Sequence, residues 1–426
     1  MVGTRVRRTQ TPCRRFWFEG FWDLGDCLVT TTTTAVSLTR SCSARHVHAF
    51  AWSVGGRPNT IPVRNMVEPE ITAQLYAQWR APRRGRSHAE TLSNPVWNWL
   101  VQEQLSAYQA NERFGGPNPI EAGPAWCFQR MGQTETLLPD GRTVYVAGEH
   151  EDYYDPDFYI YNDVVIAEPD GAVDIFGYPA TDFPPTDFHT ATLVGSTIVL
   201  VGNLGYPDDR VTGTTQVLAL ELGSKRVRTL HPSGHVPGWI SSHTAEHVDS
   251  AIVVRGGTFY EEEVHENIDE WSLDTDRWIW TRLTDRQWPT IRLERADQAP
   301  NRLFGLGQFA YYSGLTEDNR FKQEGLASLR ETLGDTPDLA LFESRYRPSM
   351  EHEVVTNADE DSDEFDVHRV SIEGVVVRFN EGMGDVTMTV EGTLPETTVQ
   401  TLADELERKL AALERTPYIA TTVKRR

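Results

Sequence analysis

The chain has 426 residues, of which 62 are acidic and 40 basic, for a formal net charge of −22. Four lysines (Lys225, Lys322, Lys409 and Lys424) leave nearly all the positive charge to arginine. Nucleic acids and anionic membrane surfaces are bound by clustered basic side chains that displace counterions, so this balance argues against both as partners.

Residues 1–65 carry Arg5, Arg7, Arg8, Arg14 and Arg15 and the run Thr30–Thr34, too hydroxylated for a signal-peptide core. This segment is expected to be a disordered leader or a mis-assigned start, although HVHAFAWSVGG (46–56) also fits part of a strand. It holds Cys13, Cys27 and Cys42, which leaves Cys127 as the one thiol of the main body. No disulfide framework is expected, and a reducing cytoplasm is the expected compartment. Residues 66–130 read as a helical N-terminal region. In NPVWNWLVQEQLSAYQANERFGG, Asn94 is an N-cap and Pro95 fits the first turn. Trp97, Leu100, Val101, Leu105 and Tyr108 form one apolar face, and Gly115-Gly116 stops the helix.

A repeat occupies 131–290. TVYVAG, TIVLVG and AIVVRGG bring Gly148, Gly202 and Gly256 at intervals of 54 residues. HTATLVG at His189 and HTAEHVD at His243 repeat the same start, and QTETLLPDG is its counterpart in the first unit, with a hairpin two residues longer. Each unit predicts a meander: strand, hairpin, strand ending in glycine, long loop, strand, turn, strand. The strands are apolar almost throughout, so both faces of each sheet should be covered. The glycine-ended strand followed by Trp271-Ser272-Leu273-Asp274-Thr275, with Trp278 or Trp280, resembles the kelch repeat. That resemblance implies a mainly β chain built on a kelch-like β-propeller. Three units fall short of a ring of roughly 4–8 blades, so the propeller is incomplete or its other blades are degenerate. Copper-radical oxidases of this class use a crosslinked Cys–Tyr pair with two histidines and another tyrosine. Nothing in the sequence sets a tyrosine beside Cys127, so that chemistry is not carried over, and no cofactor or metal is expected.

Residues 291–356 read as a mixed extension of the propeller and 357–366 as an acidic linker. The last segment, 367–426, reads as a small ββαβ module whose helix shows Val399, Leu402, Leu406, Leu410 and Leu413 at helical spacing.

The candidate chemistry lies in the long loops. GEHEDYYDPDFYIYND, NLGYPDDRVTG and TFYEEEVHEN each combine tyrosine with carboxylates. Asp152, Tyr153, Asp155, Asp157, Tyr206, Asp208, Asp209, Arg210 and Tyr260 are therefore the candidate ligand-binding residues, for a protein partner or a small cationic ligand. Asp152, Asp155 and Asp157 lack the spacing of a calcium loop. His189, His243 and Arg255 are catalytic candidates if they converge at a channel mouth; alternatively the histidines bond to a neighbouring blade. The two readings, binding module and enzyme of unknown reaction, are separated by where these side chains point. No H-E-x-x-H, G-x-S-x-G or P-loop pattern occurs.

Overall fold

The computed structural model describes residues 71–117, 123–150, 158–261, 264–304, 338–355 and 367–423, with a few positions between 327 and 335. The expected leader (1–65), the acidic linker (357–366) and Asp152, Tyr153, Asp155 and Asp157 lie outside the described residues. The chain divides after Leu283 into two compact units. It is mainly β, with several antiparallel sheets.

Three four-stranded antiparallel meanders form the first unit, each with its strands in chain order across the sheet. The first comprises Thr134–Leu137, Thr143–Val146, Asp163–Ala167 and Val173–Gly177. The second comprises Thr190–Val194, Thr197–Val201, Val217–Glu221 and Arg226–Thr229. The third comprises Thr244–Val248, Ala251–Arg255, Glu270–Asp274 and Ile279–Arg282. Thr134, Thr190 and Thr244 face Val146, Val201 and Arg255 across the three hairpins, so the first hairpin is one residue longer, not two.

Gly148 is out of phase with the other two repeat glycines. The residues directly after the second strands are Ala147, Gly202 and Gly256, with φ of +52°, +81° and +62°. Gly148 therefore stands one residue past the position of Gly202 and Gly256. Alanine has taken the first left-handed position, and the glycine is used where a Cβ would lie 2.9 Å from Gln133.

Continuous apolar strands follow from stacking. Val144, Val146, Val164 and Ile166 of the first sheet pack on Ile198, Leu200, Leu218 and Leu220 of the second. The alternate residues Val199, Val201, Val217 and Ala219 pack on Ile252, Val254, Leu273 and Trp280 of the third. Each buried Val, Leu or Ile among them contributes about 1.5–3 kcal/mol of burial, so these interfaces hold the unit together.

Helices α1 (Ala73–Trp79), α2 (Pro95–Glu103) and α3 (Ala107–Phe114) cover the remaining face of the first sheet through Tyr76, Trp97, Leu100 and Ala110 against Val165 and Ile175. Asn94 caps α2 and Pro95 opens it, as expected. The single helix expected to run to Gly115 is broken, however. Gln104 turns left-handed (φ +55°), and Ser106 with Gln109 forms a capping box that starts α3. Tyr108 consequently falls off the apolar face and is 65% exposed. At the other end of the stack, the outward face of the third sheet is polar: Arg255 bonds Glu270 at 2.9 Å and reaches Glu246 at 3.4 Å. A charged terminal face suits the last member of a stack.

The second unit is one six-stranded antiparallel sheet. In spatial order its strands are Glu353–Val354, Val367–Ile372, Val375–Glu381, Asp385–Val390, Thr290–Arg295 and Tyr418–Val423. Helix α4 (Leu339–Glu343) and helix α5 (Glu396–Glu414) share its core, where Leu402, Leu406 and Leu410 meet Val377, Phe379 and Met388. Two expectations change here. HRVSIEGVVVRFNEG is two strands, joined at Glu373-Gly374 with φ of +52° and +79°, which suits a tight hairpin, so ββαβ becomes βββαβ. The stretch expected to extend the propeller instead supplies Thr290–Arg295 and Glu353–Val354 to this sheet and α4 to its core. No helix of the described residues is long and apolar enough to cross a membrane.

Candidate functional site

Because each long loop follows a second strand and precedes a third, all three leave the sheets at one end. The first is pinned at its root, where Glu149–His150 pairs with Arg130–Met131 and Glu149 bridges Ile160. It meets the second loop at Tyr206: the Ile160 N–H donates to the Tyr206 hydroxyl at 2.9 Å, and Phe158 stands edge-on to the Tyr206 ring at 5.8 Å. Burial raises the Tyr206 pKa, so the phenol stays protonated.

The second loop meets the third at Arg210, whose guanidinium lies 5.1 Å from the Tyr260 ring centroid. Arg210 also donates to the carbonyls of Leu204 and Gly205 at 2.9 and 3.2 Å and is 9% exposed. Trp239, which pairs with Tyr260, donates from its indole to Leu204 at 3.1 Å. Arg210 was expected to face a ligand; it is instead committed to its own loop and to Tyr260. Tyr206 and Tyr260 likewise act as struts between loops. Asp208 and Asp209, on the turn Pro207–Asp209, are exposed.

Asp187 was missed from sequence. It is fully buried and accepts the Gly205 N–H at 2.6 Å, while its own N–H donates to Asn203 at 3.0 Å. Its only signal was its place two residues before His189, at the start of a repeat.

The histidines do not converge on one another. The His189 Nε2 lies 3.0 Å from the Thr134 hydroxyl, and the His243 Nε2 lies 2.9 Å from the Thr190 hydroxyl. Each therefore joins the first strand of its neighbour to the start of its own sheet, and each is 1% exposed. A backbone ladder runs beside them: Phe188 donates to Gly132 and Ser242 to Phe188, at 3.1 and 2.8 Å. All three of these residues have positive φ. Arg255 stands apart on the exposed outer face of the third sheet.

Burial lowers the His189 pKa to about 3, whereas the unfolded chain takes up a proton near the ordinary value of about 6.5. The unfolded state thus binds more protons between these limits. Stability is expected to fall as pH drops below about 6.5, by up to about 1.4 kcal/mol per pH unit. His189→Asn should flatten that slope in denaturant unfolding measured from neutral pH to pH ~4, leaving the share of His368, also lowered to about 3.

Cys127 has a tyrosine neighbour after all: its Sγ lies 3.5 Å from the Tyr161 hydroxyl, both residues being buried. Among the described residues no group of three or more His, Cys, Asp or Glu could hold a metal ion.

No family model matches the chain, and no curated protein does. Among solved structures, the one described as "Structure of YjhT" is 13% identical over 39% of this chain and 54% of that chain, with a TM-score of 0.26. The match spans about half of that structure, and a similarity of that size carries no argument about fold or activity.

Proposed function

We propose that the first unit is an incomplete kelch-like propeller segment that works as a binding module for a positively charged protein segment or small ligand. The observation that supports this most is the interlocking of loops from three successive sheets at one end, with Asp208 and Asp209 left outward. Tyr206 and Arg210 hold the second loop against Ile160 and Tyr260, so little ordering cost remains around Asp208 and Asp209 at binding. The overall charge of −22 favours approach of a cation. A body with one thiol fits a reducing compartment such as the cytoplasm. An enzyme built on His189, His243 and Arg255 lacks comparable support: the two imidazoles are enclosed between sheets, and Arg255 sits on a different face.

Basic peptides rich in lysine and arginine, with acidic peptides as controls, provide the test. Binding is expected for the basic set only, weakening as salt rises from about 20 to 200 mM. Asp208→Asn with Asp209→Asn should weaken it at least threefold without moving the melting temperature. Failure of every basic peptide to bind at low salt refutes the proposal.

A further inference from the structure

The outer edges of the three sheets are closed in different ways. The first is paired by Glu90–Thr91 and the third by Ser233–Gly234. On the second sheet the outermost strand, Arg226–Thr229, pairs inward with Val217–Glu221, and no strand of the described residues pairs with its outer side. There the Val227 N–H donates to the His88 Nε2 at 3.2 Å. A backbone N–H only donates, so Nε2 is the unprotonated nitrogen. Nδ1 then carries the proton and donates it to Asp182 at 3.0 Å. The ring also stands edge-on to Tyr178, 5.7 Å away, whose hydroxyl is engaged by the Lys225 carbonyl.

We propose that His88 is an acid-sensitive latch: neutral, it closes the edge of the second sheet, and protonated, it opens it. A proton on Nε2 sets an N–H against the Val227 N–H, and two donors cannot form the bond. Asp182 holds the imidazolium but lies on the Nδ1 side in either state, so it cannot restore the lost contact. Glu90, on the same segment as His88, is occupied by Arg83 and by the backbone of Arg86. Lys225 and Arg226, which precede Val227, are cations and offer no side-chain acceptor. Histidine is the side chain that changes charge in mild acid. The open state therefore presents an unpaired strand edge, a template for another strand, as pH falls.

Hydrogen exchange followed by mass spectrometry on the full chain, corrected for the intrinsic effect of pH, tests this. Between about pH 7.5 and 5, Arg226–Thr229 should lose five- to tenfold in protection, roughly one hydrogen bond, while Val217–Glu221 holds. His88→Gln, whose amide oxygen accepts at both pH values, should keep the edge protected. His88→Leu, with no acceptor, should exchange quickly at both. Protection of the wild-type edge that ignores pH, an equal acid loss in His88→Gln, or full protection in His88→Leu overturns the latch.

Discussion

Asp163→Ala should destabilise the first unit by about 3–5 kcal/mol, because it leaves a buried charge without its counterion. The Arg130 side chain is completely enclosed, and its guanidinium forms a two-pronged contact with the Asp163 carboxylate, one arm of it at 3.0 Å. Other partners of Arg130 are the carbonyls of Cys127 and Ala147, at 2.8 and 3.0 Å, and the Tyr161 and Trp126 rings, whose centroids lie 3.6 and 4.9 Å from the guanidinium carbon. None of these neutralises the charge. The Trp126 indole, which donates to Asp163 at 2.9 Å, would lose its acceptor as well. In urea titrations the midpoint should drop with little change in slope. Replacing both partners with apolar residues, Arg130→Met with Asp163→Leu, should recover most of the loss, since the pair's desolvation cost disappears with it. A loss below about 1 kcal/mol for Asp163→Ala would mean that water reaches Arg130.

Gly202→Ala should cost clearly more than Gly256→Ala, although the two glycines follow equivalent strands. Both have positive φ, a conformation that costs an L-residue about 1–2 kcal/mol. A Cβ at Gly256 meets nothing within 4 Å, so that cost is the whole penalty expected there. At Gly202 it would lie 2.4 Å from the Ile240 carbonyl oxygen and 2.6 Å from the His243 ring. The Ile240 carbonyl is also the acceptor for the Asn203 N–H at 2.8 Å, so it cannot retreat without breaking that bond. We expect a total above about 3 kcal/mol for Gly202→Ala, with the second and third sheets loosened against each other. Equal melting temperatures for the two variants would show that the approach at Gly202 relaxes freely.

Local signals in the sequence carried the meanders well. Turns such as Asp170-Gly171 and Gly223-Ser224 mark the meanders, and strands apolar on both faces mark the first two sheets, which are covered on each side. The third sheet departs from that expectation, its outer face being polar and exposed. What failed was whatever left no local mark. Ala147 takes a left-handed turn with no glycine to announce it, which shifted the phase of the first unit by one residue. Gln104 breaks a helix that its apolar spacing would have continued. Thr290–Arg295 pairs with strands far along the chain, so no window around it reveals its sheet. Within the candidate site, the clustering of tyrosine and carboxylate singled out the three long loops. It could not show that Tyr206 and Tyr260 face neighbouring loops, because that depends on contacts between sheets. Asp187 and His88 are single residues whose partners lie elsewhere in the chain, and only the fold gives them meaning.

The position of Thr290–Arg295 also sets the order in which the chain can assemble. Leu293 faces Val386 on one side and Ala420 on the other. During synthesis this strand leaves the ribosome long before either neighbour exists, and its last partner, Tyr418–Val423, is made far downstream. Its sheet is therefore dominated by distant contacts, the topology that folds slowly. Among the described residues, the strand pairings of the first unit, including that of Glu90–Thr91, all lie before Leu283, so this unit can close as it emerges. The nascent protein thus passes through a stage in which the first unit is folded while a strand with Ile291 and Leu293 uncovered waits behind it. That interval is when the chain is most open to mispairing, and its length is governed by translation rate rather than by the stability of either unit.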